Sequence, residues 1–128
     1  MRFVLVLCAG TFMLLSAVAH AFIGWPSVRE ALQAAGNPEE LVSGLAAGWF
    51  FGTASMATFG AIVLSAGRRL RRGDRSALGS VRWIATCYLV FGLAAYVLRG
   101  FAPHFLLFVG TGVLAGIPAF VWRRRDEV

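Results

Sequence analysis

Hydrophobic residues along the chain fall into four long stretches that are separated by short polar or charged segments. We predict helices over about residues 3–24, 39–67, 80–98 and 102–122. The first stretch has 22 residues without a charge, and a helix of that length is about 33 Å long, enough to cross a hydrocarbon core of about 30 Å. The pattern predicts an all-α integral membrane protein, with a bundle of four transmembrane helices forming a single domain over residues 1–128.

The polar segment after the first stretch predicts a short helix outside the bilayer core, over about residues 27–35. Ser27 and Glu30 have the spacing of a capping box, and Val28 and Leu32 lie on one apolar face. Such an amphipathic helix is expected to lie at the membrane interface, between transmembrane helices 1 and 2. The other connections are short, so the four helices are expected to run up-down-up-down.

The first stretch also resembles a secretory signal peptide. Arg2 precedes a long apolar run, and the small-residue site Ala19-His20-Ala21 follows it. The run is longer than the usual signal-peptide core of about 7 to 15 residues, and it continues through Phe22 and Ile23 past that site. This favours a retained helix, with cleavage of residues 1–21 as the alternative.

Arginines lie at alternate ends of the four stretches, on one side of the predicted bundle. Basic residues next to spanning segments stay preferentially on the cytoplasmic side, so the pattern predicts cytoplasmic N and C termini, with only Arg29 and Arg99 in outer loops. All twelve basic residues are arginine, which favours a GC-rich bacterial genome and hence a multi-pass protein of the bacterial inner membrane. The cytoplasmic arginines are Arg2, Arg68, Arg69, Arg71, Arg72, Arg75, Arg82, Arg123, Arg124 and Arg125.

Composition supports the membrane assignment and narrows the partners. The chain is 59% hydrophobic and 14% charged, with a mean hydropathy of +0.74, whereas about 25% of the residues in soluble domains are charged. A net charge of +6 and a pI near 11.0 are also typical of nucleic-acid-binding proteins. Here the arginines lie in short runs beside apolar stretches, so we expect membrane lipids as partners and no nucleic acid.

Small residues on the predicted helices indicate where helices pack. In a bilayer, close approach of two backbones depends on such residues, as in the GxxxG motif. We therefore expect another helix, from the bundle, a second copy or a partner membrane protein, to pack on these positions. The alternative is that Gly48 and Gly52 leave room for a ligand. The predicted packing residues are Gly44, Gly48, Gly52 and Ser55 on the second helix, and Gly112 and Gly116 on the fourth.

Four polar residues near the outer ends of three helices form the candidate site: His20, Tyr96, Arg99 and His104. Ionisable groups inside a bilayer are costly, and each needs a partner, a water-filled cavity or a function. One interpretation is structural: Arg99 reaches the headgroups or pairs with Glu39 or Glu40, and the histidines bond nearby hydroxyls or carbonyls. The other is a pocket for a polar or anionic headgroup, a quinone or another lipid-like ligand, in which Arg99 and the histidines donate hydrogen bonds and Gly48 and Gly52 provide room.

The cofactor expected by default is none, and the pattern contains no metal-binding cluster. Haem b held between His20 and His104 is the alternative, because two histidines on facing helices supply both axial ligands. Cys8 and Cys87 lack CxxC or metal spacing. They are interpreted as buried, inert thiols rather than as a disulfide.

The sequence lacks the residue patterns of the common membrane enzymes and exporters. No Asp or Glu lies within a predicted span, although a proton-coupled exporter needs such a carboxylate. No GxSxG, HExxH or P-loop pattern occurs either. In length and hydropathy the chain resembles small bacterial four-helix membrane proteins, the DoxX-like group among them. We expect a protein that acts by association, as an accessory subunit or a ligand binder, rather than an enzyme. The alternative is a membrane electron-transfer protein that holds haem b between His20 and His104.

Overall fold

The computed structural model describes residues 2–121 of the chain. Met1 and residues 122–128 lie outside the described residues. The predicted cytoplasmic arginines Arg123, Arg124 and Arg125, and the end of the fourth predicted helix at residue 122, therefore lie outside the described residues.

The described residues are helical, without strands. The α-helices are α1 (Arg2–Ala19), α2 (Trp25–Ala34), α3 (Glu39–Arg71), α4 (Leu78–Leu98) and α5 (Leu106–Val121). A π-helical turn, His20–Gly24, joins α1 to α2, and 3-10 turns at Arg75–Ala77 and Pro103–Phe105 precede α4 and α5. In this part of the chain, four helical segments are long and apolar enough to cross a membrane: Phe3–Ala34, Glu39–Arg71, Arg75–Leu98 and Pro103–Phe120.

Helix α2 continues α1 instead of forming a separate helix. The chain stays helical through the π turn, whose first carbonyl, that of His20, accepts a hydrogen bond from the N–H of Trp25. Pro26, which has no N–H, directly follows the π turn, where the regular i to i−4 hydrogen-bond pattern is already interrupted. Ser27 does not cap the helix, and its hydroxyl donates to the Ile23 carbonyl at 3.2 Å. The expected capping box at Ser27 is therefore wrong.

The helices pack as two antiparallel pairs, α1 with α3 and α4 with α5, and the pairs meet mainly where α1 lies against α5. Between α1 and α3 the backbones approach closely at Gly10 and Gly60. A Cβ added at Gly10 would lie 2.8 Å from the backbone nitrogen of Leu64, and one added at Gly60 would lie 3.1 Å from the Gly10 carbonyl oxygen. Helices α3 and α4 contact each other only lightly, which leaves a gap between the two pairs.

The core lies along the α1, α3, α4 and α5 faces that meet at the bundle axis. Val6, Ala9 and Met13 of α1 are fully buried there, together with Val63 of α3 and Val81 of α4. Arg82 is also half-buried, and its Nε donates to the Ala119 carbonyl of α5 at 2.8 Å. The end of the bundle that carries the α3–α4 turn is thus closed by packing, and the open space lies further along the bundle.

Candidate functional site

Two adjoining cavities lie between the helix pairs, with volumes of about 260 and 190 Å³. They share His20, Met56, Tyr88 and Phe108 as lining residues. The first cavity is also lined by Gly52, Ser55, Phe59, Cys87 and Phe91. The second is also lined by Phe12, Ser16, Ala19, His104, Leu107 and Thr111.

The walls of both cavities are apolar and rich in aromatic rings. The ring centroid of Tyr88 lies 5.8 Å from that of Phe108 and 6.4 Å from that of Phe59, and Phe91 meets Phe108 edge to face at 5.0 Å. Among the described residues, no arginine, aspartate or glutamate lines either cavity. The site is therefore suited to an uncharged group rather than to an ion.

Tyr88 is the residue in this site whose polar atom is buried without a partner. Its side chain belongs to the wall common to both cavities, and the residue is only 5% exposed. The hydroxyl oxygen is buried without a hydrogen-bond partner, the one such side-chain atom among residues 2–121. A buried hydroxyl without a bond costs about 1 to 3 kcal/mol, so an acceptor brought by a ligand would recover this free energy.

His20 lies at the first position of the π turn, and its ring is held by Trp49 of α3. The two rings are stacked, with centroids 4.0 Å apart and planes inclined by 1°. The Trp49 indole also donates a hydrogen bond to the His20 carbonyl at 2.9 Å. Single-turn π segments inside helices are frequent at functional sites, and here the segment places an imidazole on the wall of both cavities.

The structure brings together only some of the residues predicted for the site. His20 and Gly52 line the first cavity, and a Cβ added at Gly52 would lie 3.9 Å from the His20 Nε2. His104 lines the second cavity together with His20. Gly48, Tyr96 and Arg99 line neither cavity.

Tyr96 and Arg99 lie instead at the turn between α4 and α5. The Tyr96 and Phe101 rings meet edge to face with centroids 5.3 Å apart. The backbone N–H of Phe101 donates a hydrogen bond to the Tyr96 carbonyl oxygen at 2.8 Å. Gly100 and Phe101 both have positive φ angles, of 65° and 63°, which gives this turn its tight reversal. Arg99 is exposed, and no salt bridge to Glu39 or Glu40 forms within the described residues.

The predicted packing glycines differ in what surrounds them. A Cβ added at Gly44 or Gly48 would meet no atom within 4 Å, whereas one added at Gly112 would lie 2.9 Å from the Leu89 Cγ. A Cβ added at Gly116 would make an ordinary van der Waals contact with the Phe120 ring at 3.4 Å. Ser55 donates its hydroxyl to the Phe51 carbonyl at 2.9 Å and lines the first cavity. Any helix that packs on Gly44 and Gly48 therefore belongs to another molecule.

The two cysteines are free, as expected, but both are exposed on the surface of the chain. The interpretation of buried thiols is therefore wrong, because Cys8 faces outward from α1 and Cys87 lies where the first cavity reaches the surface of α4. No group of three or more metal-ligating side chains occurs within residues 2–121.

Comparisons with known proteins give no counterpart: no protein-family model, curated protein or solved structure matches the chain.

The site contains two residues that were not selected from the sequence, Tyr88 and Trp49. The sequence signal available for Tyr88 is its hydroxyl in the middle of an apolar stretch. Trp49 carries no comparable signal, because tryptophan is also common at membrane interfaces.

Proposed function

We propose that this chain is a small bacterial inner-membrane protein that binds a lipid-like or quinone-like ligand between its two helix pairs. The observation that carries the proposal is the Tyr88 hydroxyl, which is buried without a partner in the wall common to both cavities. In this proposal the ligand supplies the missing acceptor, and the surrounding aromatic rings supply apolar contact. In this proposal the protein acts by association.

The proposed orientation follows from the arginines. The last turn of α3 carries Arg68 and Arg71, and Arg72 follows it, so we place the α3–α4 turn and both termini in the cytoplasm. The cavities then lie from the middle of the bilayer towards the outer face. A reporter enzyme that is active only outside the cytoplasm should be active when fused after Gly36 and inactive when fused after Gly73. The reverse result would overturn the orientation.

We further propose that the first helix is retained in the mature protein. Val6, Ala9 and Met13 are fully buried, and Gly10 lies against the α3 backbone. Cleavage after Ala21 would remove this wall of the core and the His20 side of the cavities. N-terminal sequencing of the membrane-extracted protein should therefore begin within the first few residues, and a start at Phe22 would contradict the proposal.

Native mass spectrometry of the protein, extracted from membranes in a mild detergent, tests the binding function. We expect a bound small molecule on the wild type, reduced occupancy for Tyr88→Phe, and unchanged occupancy for Tyr96→Phe. Both variants remove one phenol hydroxyl, but Tyr96 lines neither cavity. A wild type without any bound molecule, or equal occupancy in the three proteins, would overturn the proposal.

Haem b is the second candidate ligand, because His20 and His104 both line the second cavity. Two imidazoles that line one space can supply axial donors, but the His20 ring is stacked on Trp49, and a cavity of about 190 Å³ would have to widen to hold a porphyrin. Purified protein from haem-supplemented cells should then show a Soret band, and the band should disappear in His20→Ala and in His104→Ala. A colourless wild type excludes this candidate.

A further inference from the structure

We infer that the ligand is an uncharged ring bearing a carbonyl oxygen, and that its apolar tail leaves the protein sideways between α3 and α4. The inference rests on the proposed binding function and specifies its ligand class. It is carried by three features of the cavities: the absence of charged lining residues, the aromatic walls, and the open side between the helix pairs.

The lining residues distinguish an uncharged ligand from an anionic headgroup. A phosphate or carboxylate in a water-poor site needs a cation or several donors to replace its hydration. The cationic residue predicted for this role, Arg99, lies outside the lining of both cavities. The donors available are the Tyr88 hydroxyl and the imidazoles of His20 and His104, which suit one or two carbonyl oxygens.

The aromatic residues favour a flat ring over an acyl chain. Phe59, Tyr88, Phe91 and Phe108 form a continuous set of edge and tilted contacts with centroids between 5.0 and 6.4 Å apart. Aromatic rings prefer such offset and edge arrangements, and a ligand ring placed among them extends the set. An acyl chain would fill the space but would leave the Tyr88 hydroxyl without an acceptor.

The size and position of the first cavity indicate where the tail goes. A cavity of about 260 Å³ is at the small end of ligand pockets, which span about 300 to 1,000 Å³, so it holds a head ring and not a whole lipid. Its lining includes Ser55 of α3 and both Cys87 and Phe91 of α4, and the last two are exposed. The cavity therefore opens between α3 and α4, the helices with little mutual contact.

Met56 is a flexible side chain that the two cavities share. The Tyr88 hydroxyl oxygen is buried, and Met56 and Tyr88 both line the two cavities. Methionine has an unbranched side chain that changes rotamer readily, so in this proposal the ring displaces Met56 to reach the hydroxyl. The bound ring would then lie across the former wall, with its carbonyl at Tyr88 and its tail in the α3–α4 gap.

Thiol protection tests the inference on the full-length protein in nanodiscs. Cys87 lines the first cavity and Cys8 does not, and both lie on the outer surface of apolar spans, where they face lipid, so one chain contains the reporter thiol and its control. N-Phenylmaleimide, which partitions into the bilayer, is used at pH 9 because the thiolate is the reacting form, and mass spectrometry of peptides gives the labelling rate of each thiol. Three probes are compared. Decylubiquinone is a ring with carbonyl oxygens, and its full substitution keeps it from adding thiols. Decylbenzene is a ring without a carbonyl, and dioleoylphosphatidylglycerol is an anionic lipid. The expected result is slower labelling of Cys87 by decylubiquinone alone, with Cys8 unchanged.

Two variants connect this protection to the proposed contacts. Tyr88→Phe should raise the decylubiquinone concentration for half-protection about 2- to 10-fold, the range for one hydrogen bond, and Tyr96→Phe should leave it unchanged. Gly52→Leu should abolish protection, because a side chain there extends towards the His20 Nε2, 3.9 Å from the added Cβ. It also provides a second test if Tyr88→Phe does not fold.

The outcomes separate the inference from the proposed function. Equal protection by decylbenzene overturns the carbonyl assignment, and equal protection by phosphatidylglycerol overturns the uncharged class. Both of these results leave cavity binding intact. No protection by any probe, with a bound molecule still present in native mass spectra, overturns the inference alone. The absence of both protection and a bound molecule overturns the proposed function as well.

Discussion

The imidazole of His20 lies flat against the indole of Trp49, with ring centroids 4.0 Å apart and planes inclined by 1°. The same indole donates to the His20 carbonyl at 2.9 Å. One side chain of α3 thus fixes both the ring and the backbone of a residue that lines both cavities. Gly24 lies on the far edge of the indole, where an added Cβ would be 2.8 Å from Trp49 Cζ2. Trp49 thus contacts the π turn at both its first residue, His20, and its last, Gly24.

We expect Trp49→Phe to lower the free energy of unfolding by about 1 kcal/mol, the usual size of one hydrogen bond. Phenylalanine keeps a ring for stacking but cannot donate to the His20 carbonyl. Thermal unfolding in detergent, followed by circular dichroism, measures the change. Trp83→Phe is the matched control, since Trp83 is 76% exposed on α4. Equal losses for the two variants would contradict a specific role for Trp49.

The Gly10–Gly60 contact predicts a second effect on stability. Gly10→Ala should lower the stability by about 1 to 3 kcal/mol, the usual cost of overpacking, because the new Cβ would lie 2.8 Å from a backbone nitrogen of α3. Gly44→Ala adds the same methyl group where no atom lies within 4 Å, and should be neutral or slightly stabilising. Titration with a denaturing detergent should unfold Gly10→Ala at a lower detergent fraction than Gly44→Ala. The reverse result would show that α1 and α3 do not pack as described.

The helical architecture could be predicted from the sequence because it depends on long apolar stretches. The packing partners could not, because glycine spacing alone does not say which neighbour approaches. Gly44 and Gly48 have the regular GxxxG spacing but face open space, whereas Gly10 and Gly60 are isolated in sequence and touch across helices. We expected the first helix to end at Gly24, but it continues through a π turn into α2. This continuation could not be predicted, because the π turn depends on Trp49, a residue far away in sequence.

The candidate site was partly predictable for the same reason. Periodicity fixes which side of a helix a residue is on, and His20 and His104, which we expected on facing helices, both line the second cavity. Periodicity does not fix depth or partners. Arg99 follows the end of α4 and remains exposed, whereas Tyr88 is in the middle of the helix, where its hydroxyl finds no neighbour to bond.

The open glycines predict an association between chains. Gly44 and Gly48 present backbone to the exterior of α3, so a second copy or a partner membrane protein is the remaining candidate to pack on them. Gly48→Leu should decrease the fraction of cross-linked dimer in native membranes. Gly110→Leu is the control, because Gly110 of α5 also has no atom within 4 Å of an added Cβ. If the dimer fraction is equal in both variants, the stripe does not mediate association.

The α3–α4 turn predicts a dependence of local stability on pH. Asp74 accepts hydrogen bonds from the Ser76 hydroxyl at 2.7 Å, the Ser76 N–H at 3.0 Å and the Arg69 Nε at 2.8 Å. These bonds, first those from Ser76 and then that from Arg69, hold the pKa of the Asp74 carboxyl below its ordinary value of 3.8. The carboxylate therefore caps the 3-10 turn that leads into α4.

A lowered folded-state pKa means that the folded turn binds its proton less readily than the unfolded chain does. The stabilisation is thus fully present above the ordinary pKa of 3.8 and disappears as the pH falls through the lower folded-state pKa. Hydrogen exchange of the Ser76 amide should be slower in the wild type than in Asp74→Ala at pH 6, and the ratio of protection factors should approach one below that pKa. Glu40→Ala, at an exposed carboxylate on the far end of α3, should leave the protection of Ser76 unchanged at both pH values. A ratio that stays constant with pH would show that the carboxylate does not cap the turn.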